Sequence, residues 1–284
     1  MQLPLNFEFS QSSLQDFVDC RRRFLLRYVQ QVAWPAVQTE PMIENERHIR
    51  RGERFHRLAQ QWLLGVPAQR LDEIASADPD EHLPQWWQSF SKMAAADLQG
   101  ARSVDPLKRV ELALAAPLAG YRLAARYDLI LVTPAEGRLV IYDWKTSLKR
   151  PRRNWLVSRL QTRVYPYLLA RAGKFLRRNK ANVSPEQIKM IYWFAAFPNQ
   201  PEQFIYNAAQ FAADGRILED LATEILSLPE TAFELTPDVE RCAYCVYRSL
   251  CDRGISAGSF DENEVEPESS TPDLDIEQIA EIGF

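Results

Sequence analysis

Two aspartates and a lysine carry the clearest chemistry in this chain. Asp128 and Asp143-Trp144-Lys145 lie on two runs rich in β-branched and apolar residues, Leu123–Val132 and Arg138–Trp144. Pro134-Ala-Glu-Gly137 stands between them as a turn, so the pattern predicts a β-hairpin with one carboxylate on each strand. Lys145 is two residues past Asp143, and a strand's period of two turns both side chains to one face. Two carboxylates and an ammonium on one face are costly to bury unless a divalent cation joins them. Oxygen donors of this kind suit Mg²⁺ or Mn²⁺. A lysine beside such an ion can orient or deprotonate a water that attacks a phosphodiester. Asp-x-Lys alone is a weak signal, because charged residues at a strand's end commonly face solvent.

The elements that must position these residues can be read around the hairpin. Lys108–Pro117 reads as a preceding strand and carries Glu111. Asn154–Ala172 reads as one helix with Leu160, Val164, Tyr165 and Leu168 on a stripe; Gln161 and Tyr165, four apart, share a face. Arg152, Arg153, Arg159 and Arg163 around them suit phosphate contacts. Lys189–Phe197 is the continuous apolar run of a buried strand, Gln203–Tyr206 an edge strand, and a helix follows from about Asp214 to Leu228. Turns this short between the central strands exclude a doubly wound fold. Upstream, Ser10-Gln-Ser12-Ser13 caps a helix predicted to run to about Val29, with Cys20 inside it. Glu44–Leu64 reads as another helix, with Phe55, Leu58, Ala59 and Trp62 at helical spacing and Gly52 one turn before His56. A glycine there lets the helix approach the sheet closely. Residues 65–106 read as a helical insertion without chemistry; Trp86 and Trp87, on a helix over Pro84–Leu98, are taken as packing rather than base stacking.

Composition sets the class. The chain has 284 residues, 46% hydrophobic and 25% charged, as a soluble globular domain over residues 1–258 requires. No apolar run approaches a membrane span, and the N-terminus lacks a signal-peptide pattern, so a cytoplasmic, reducing location is expected. The net charge of −4 hides an asymmetry: nine acidic and no basic residues follow Phe260, which leaves +5 on residues 1–260. Five arginines cluster in Arg47–Arg57 and six basic residues in Lys149–Arg163, a footprint that suits a polyanion once a metal–phosphate site lies between them. Residues 259–284 read as an acidic, disordered tail ending in a short amphipathic helix over Leu274–Phe284. No Gly-x-x-x-x-Gly-Lys motif is present, so helicase activity would need a partner.

The only four cysteines are Cys20, Cys242, Cys245 and Cys251, the last three spaced Cys-x-x-Cys-x-x-x-x-x-Cys. Two disulfides would require an oxidising compartment, and zinc-knuckle pairs would require a second cysteine near Cys20, which has none.

Taken together, Asp128, Asp143-Trp-Lys145 and Gln161-x-x-x-Tyr165 resemble the core of the PD-(D/E)XK nucleases, in particular the RecB-type branch. Ser12-x-Leu14-x-x-Phe17-x-x-Cys20 and the arginine-rich stretch after it resemble the opening of the AddB nuclease domain and of the CRISPR adaptation nuclease. Two departures stand out. Arg21 follows the cysteine where proline is common, and Ala125-Arg126-Tyr127-Asp128 replaces the usual Gly-x-Ile/Val-Asp, which would narrow the approach of a phosphate backbone. The resemblance implies an α/β, restriction-endonuclease-like core, a mixed sheet flanked by helices. It implies one Mg²⁺ or Mn²⁺ held by His56, Asp128, Asp143 and the main-chain carbonyl of Trp144, with Lys145 aligning the water or neutralising charge on phosphorus. Gln161 and Tyr165 would contact the DNA backbone or steady the lysine, and Glu111 would lie near the site. Cys20, Cys242, Cys245 and Cys251 would hold a 4Fe–4S cluster that closes a loop of more than two hundred residues. The implied function is a DNA nuclease, expected to be an exonuclease on single-stranded ends, in repair, recombination or CRISPR adaptation beside a helicase or adaptation partner. Two alternatives stay open: a DNA-binding or partner-bridging iron–sulfur protein that does not cut, and a zinc-stapled nuclease.

Overall fold

The computed structural model describes residues 3–33, 40–98, 108–133, 137–177 and 180–254; the expected tail and residues 134–136 of the hairpin turn lie outside them. At the centre is a six-stranded mixed sheet. Its strands are β1 (Glu8–Phe9), β2 (Lys108–Leu118), β3 (Tyr121–Thr133), β4 (Arg138–Lys145), β5 (Ile188–Phe194) and β6 (Glu202–Ile205). They run in the order β1-β3-β4-β5-β6, with β2 antiparallel on β3; β1 lies parallel to β3 and β5 parallel to β4. The alternation of the hairpin sequence survives as observed: β3 and β4 are antiparallel, with Leu129 opposite Tyr142 and Thr133 opposite Arg138.

That ladder stops where the carboxylates begin. β4 covers β3 only from Leu129 to Thr133, and β1 covers it only at Arg122 and Leu123. The stretch of β3 between them, around Asp128, is therefore open on that side. Continuing the registers places Glu111, Asp128 and Asp143 in one row across β2, β3 and β4. Like charges directly opposite on neighbouring strands repel, so this row needs cations.

Two apolar layers clothe the sheet. One carries Phe9, Leu14, Phe17, Phe24, Tyr127, Ile141, Val164 and Leu168, and packs helices α1 (Gln11–Asp19), α7 (Leu160–Ala172) and α8 (Ala208–Ser227) against one face. The other gathers Phe55, Trp62, Trp86, Trp87, Phe90, Trp144 and Trp193, from α3 (Glu40–Leu63), α5 (Leu83–Asp97) and the sheet, with Leu71 and Ala75 of α4 (Ala68–Ser76). Trp86 and Trp87 are buried, as packing residues should be.

Helix boundaries differ from the periodic pattern in three places. The amino-terminal helix is not continuous to Val29: α1 ends at Asp19, Cys20 is extended (φ −162°, ψ 107°), and a short α2 (Arg21–Phe24) leads into a π-turn over Leu25–Val29. The apolar stripe persists through this break, so periodicity could not reveal it. The helix after the hairpin likewise splits into α6 (Arg153–Ser158) and α7 at extended Arg159. Finally, α8 starts six residues before Asp214, because the Asn207 side chain accepts from the Gln210 N–H and caps it there.

Candidate active site

Asp128 sits where β3 loses its partner strand, and its carboxylate replaces the missing ladder bond. One oxygen accepts from the Trp144 N–H at 2.8 Å, and the other lies 3.3 Å from His56 Nδ1. His56 reaches it from α3. That approach depends on Gly52, one turn earlier, where a Cβ would stand 2.9 Å from Thr146 Oγ1, just beyond Lys145. The close approach expected of Gly52 is thus observed.

Asp143 is 4% exposed: one oxygen accepts from Gln161 Nε2 at 2.7 Å, and the other lies 2.9 Å from Lys145 Nζ. Lys145 also donates to Gln161 Oε1 at 2.9 Å, and its Nζ stands 5.3 Å from the Tyr192 ring centre. Gln161 therefore clamps both members of the Asp-x-Lys motif and fixes the lysine in space. Tyr165 does not face solvent. It is buried with its ring 4.8 Å from that of Tyr127, whose hydroxyl donates to the Tyr165 carbonyl. In this position its side chain packs inside the protein, beside the helix-borne Gln161. Trp144 buries its indole in the second apolar layer and turns its main chain toward the carboxylates.

The electrostatics follow from this crowding. Burial works to lower the His56 pKa, but the Asp128 carboxylate overrides it, and Asp143 and Glu111 add to the pull; the imidazole is raised to about 9. A third of its surface stays in solvent. Asp128 is affected conversely: burial would raise it, and His56, the Trp144 N–H and Lys145 hold it below the usual carboxylate range. Glu111 is pushed up to about 7, by burial first and then by Asp128. It also adopts a left-handed backbone (φ 51°), rare for a side chain of this kind. Sequence reasoning left Glu111 near the site; the sheet register, which no local pattern reports, puts it in the same row as the two aspartates.

Hard oxygen and imidazole donors around a row of carboxylates suit Mg²⁺ or Mn²⁺. As they stand, no three His, Cys, Asp or Glu side chains among the described residues lie close enough to enclose an ion. The donors are instead closed on one another through His56, Lys145 and Gln161.

The arginine clusters are largely spent on the fold. Arg51 pairs with Asp80, Arg54 with Asp78, Arg150 and Arg153 with Glu202, Arg159 with Asp19, and Arg163 with Asp214. Arg153, Arg159 and Arg163, expected to suit phosphate contacts, each already pair with a carboxylate in the DNA-free protein. Arg47, Arg57 and Lys149 are exposed.

Far along the chain but close in space, Cys20, Cys242, Cys245 and Cys251 line one cavity, together with Arg23, Arg241 and Arg248. The break at Cys20 is what brings it there. Burial raises the thiols of Cys242, Cys245 and Cys251, the second to about 11. Among the described residues no helix is long and apolar enough to cross a membrane.

A family profile described as the PD-(D/E)XK nuclease superfamily matches residues 8–252. No curated protein matches the chain significantly. Among solved structures, the crystal structure of SSO0001 is similar at 14% identity over 88% of each chain, with a TM-score of 0.39. A provisionally named exonuclease from Eubacterium rectale is similar at 11% identity, over 80% of this chain and 86% of that one, with a TM-score of 0.44.

Proposed function

Because the chain belongs to the PD-(D/E)XK nuclease superfamily, we propose that it is a Mg²⁺- or Mn²⁺-dependent deoxyribonuclease that trims single-stranded DNA ends. The observation that carries this reading is the closed cluster of Asp128, Asp143, Lys145, His56 and Gln161, in which every charged group of the motif faces its fellows. A module that only binds DNA has no use for such a cluster.

His56, Asp128, Asp143 and the Trp144 carbonyl would hold the metal, which when bound supplies Lewis acidity toward the scissile phosphate and acidifies water. The chain's own residues do the rest. Gln161 holds Lys145 at a fixed place beside Asp143, so that its ammonium aligns the attacking water and offsets charge developing on phosphorus. Buried Tyr165 and Trp144 keep the floor of the site rigid. Alignment and charge, with no covalent enzyme intermediate, account for the catalysis.

The four cysteines hold a 4Fe–4S cluster in this reading. All four line one cavity, although no three of them are gathered around a common point among the described residues. Four thiolates are the ligand set of such a cluster, and the three arginines around the cavity suit its negative charge. Repair, recombination or CRISPR adaptation is the setting, with a helicase or adaptation protein as partner.

The test is anaerobic purification and incubation with end-labelled single-stranded DNA and Mn²⁺, beside an Asp143→Ala/Lys145→Ala variant. Metal-dependent cleavage that vanishes in the variant is expected, and the product ladder gives polarity. A brown protein that binds DNA but cuts nothing, whichever divalent metal is supplied, would sink the nuclease reading.

A further inference from the structure

We propose that Gln15 is a positioning residue of the nuclease site, and that through it the cysteine-lined end of the molecule sets the alignment of the helix that carries Gln161. The inference rests on the reading of Gln161 and Lys145 as parts of that site.

The helix after the hairpin breaks at Arg159, so Leu160 opens α7 with a main-chain N–H that no side chain of its own segment caps. Gln15, on α1 and 6% exposed, fills that role from 145 residues away: its Oε1 accepts from the Leu160 N–H at 3.0 Å, in a buried bond. The amide's other end donates to Asp19 Oδ1 at 2.9 Å. An N–H donor on one side and a carboxylate on the other leave the amide one orientation. Asp19 in turn gathers Arg23 at 3.3 Å, Arg159 at 3.5 Å and Arg241. Cys20 directly follows Asp19, and Cys242 directly follows Arg241. At the far end, Gln161 directly follows Leu160 and grips Asp143 and Lys145. An unbroken series of bonds therefore runs from the cavity through Asp19, Gln15 and Leu160 to the Asp-x-Lys motif. Apart from the peptide links at Asp19–Cys20, Arg241–Cys242 and Leu160–Gln161, each link is a charged or buried polar contact, and such contacts hold position closely because leaving them unmade is costly. Misplacing a catalytic group by about an ångström can cost on the order of a hundredfold in rate.

The experiment compares wild type, Gln15→Leu, Cys20→Ser and the double variant in steady-state cleavage of single-stranded DNA with Mn²⁺, with a thermal unfolding curve for each. Gln15→Leu should remain folded, keep the DNA KM within about twofold, and lose about tenfold or more in kcat. Cys20→Ser should lower kcat in the wild-type background and lower it little further beside Gln15→Leu, as expected for two residues acting through one contact. Should the leucine variant not fold, Gln15→Asn, one methylene too short to reach Leu160, repeats the measurement. A Gln15 variant with wild-type kcat, a loss shared equally between kcat and KM, or two defects that simply multiply would each overturn the inference. An inactive wild type overturns the nuclease reading and this inference with it, whereas an active wild type with an indifferent Gln15 overturns this inference alone.

Discussion

Metal binding at the candidate site should expel a proton, and its size can be worked out from His56. In the metal-free protein the imidazole is held protonated by Asp128, with a pKa of about 9. An ion can use only the neutral ring. At pH 7.5 about 3% of the rings are neutral, and at pH 8.5 about 24%, so the apparent Mn²⁺ dissociation constant should fall roughly eightfold over that step. Binding at pH 7.5 should release close to one proton, about 0.97. An ordinary histidine would release only about 0.1 and change the affinity less than twofold. Glu111, raised to about 7, is mostly ionised over this window and adds little. Anaerobic calorimetric titration with Mn²⁺ in two buffers of different ionisation enthalpy measures the proton directly, and His56→Asn should abolish it. Binding that releases less than about 0.2 proton, with affinity flat from pH 7.5 to 8.5, would refute His56 as a ligand. The same linkage reaches stability: a raised pKa means stabilisation fully present below pH 6.5 and lost as pH rises through about 9. Metal-free protein should therefore melt lower at pH 9 than at pH 6.5.

Three further outcomes follow from the geometry. Lys145→Ala leaves the buried Asp143 carboxylate without its ammonium 2.9 Å away; it should cost about 3 kcal/mol in denaturant melts without metal, part of it recovered with Mn²⁺, and activity should fall at least about a hundredfold. Gly52→Val should push α3 and His56 off the sheet through Thr146 and lower both Mn²⁺ affinity and cleavage, with Thr146→Ala restoring part of the loss in the same assays. Glu111→Gly removes a left-handed glutamate and one of three aligned carboxylates; relief of about 1 kcal/mol should raise the metal-free melting temperature by about 2 °C, and a lower one would show that the strain account is wrong.

Much of the site was legible because its chemistry is local. The period of two in a strand is enough to set Lys145 beside Asp143, and four residues of helix are enough to put Gln161 over Tyr165 on one face; both relations hold in the structure. Hydrophobic periodicity located α3, and the spacing Gly52-x-x-x-His56 anticipated a helix pressed on the sheet. The apolar run at Lys189–Phe197 announced the buried central strand β5. What periodicity cannot carry is anything decided by partners distant in sequence. Whether a helix breaks at Cys20 or Arg159 depends on contacts offered from elsewhere, and the apolar stripe runs through both breaks unchanged. Which acidic residue an arginine pairs with depends on what the fold delivers, as Asp214 is delivered to Arg163 and Glu202 to Arg153. Register decided the place of Glu111: a one-residue slip of β2 would have turned its side chain to the opposite face of the sheet. Local spacing thus determined which groups could do the chemistry. Long-range packing alone decided which of them meet, because each such contact belongs to two segments at once and is written in neither.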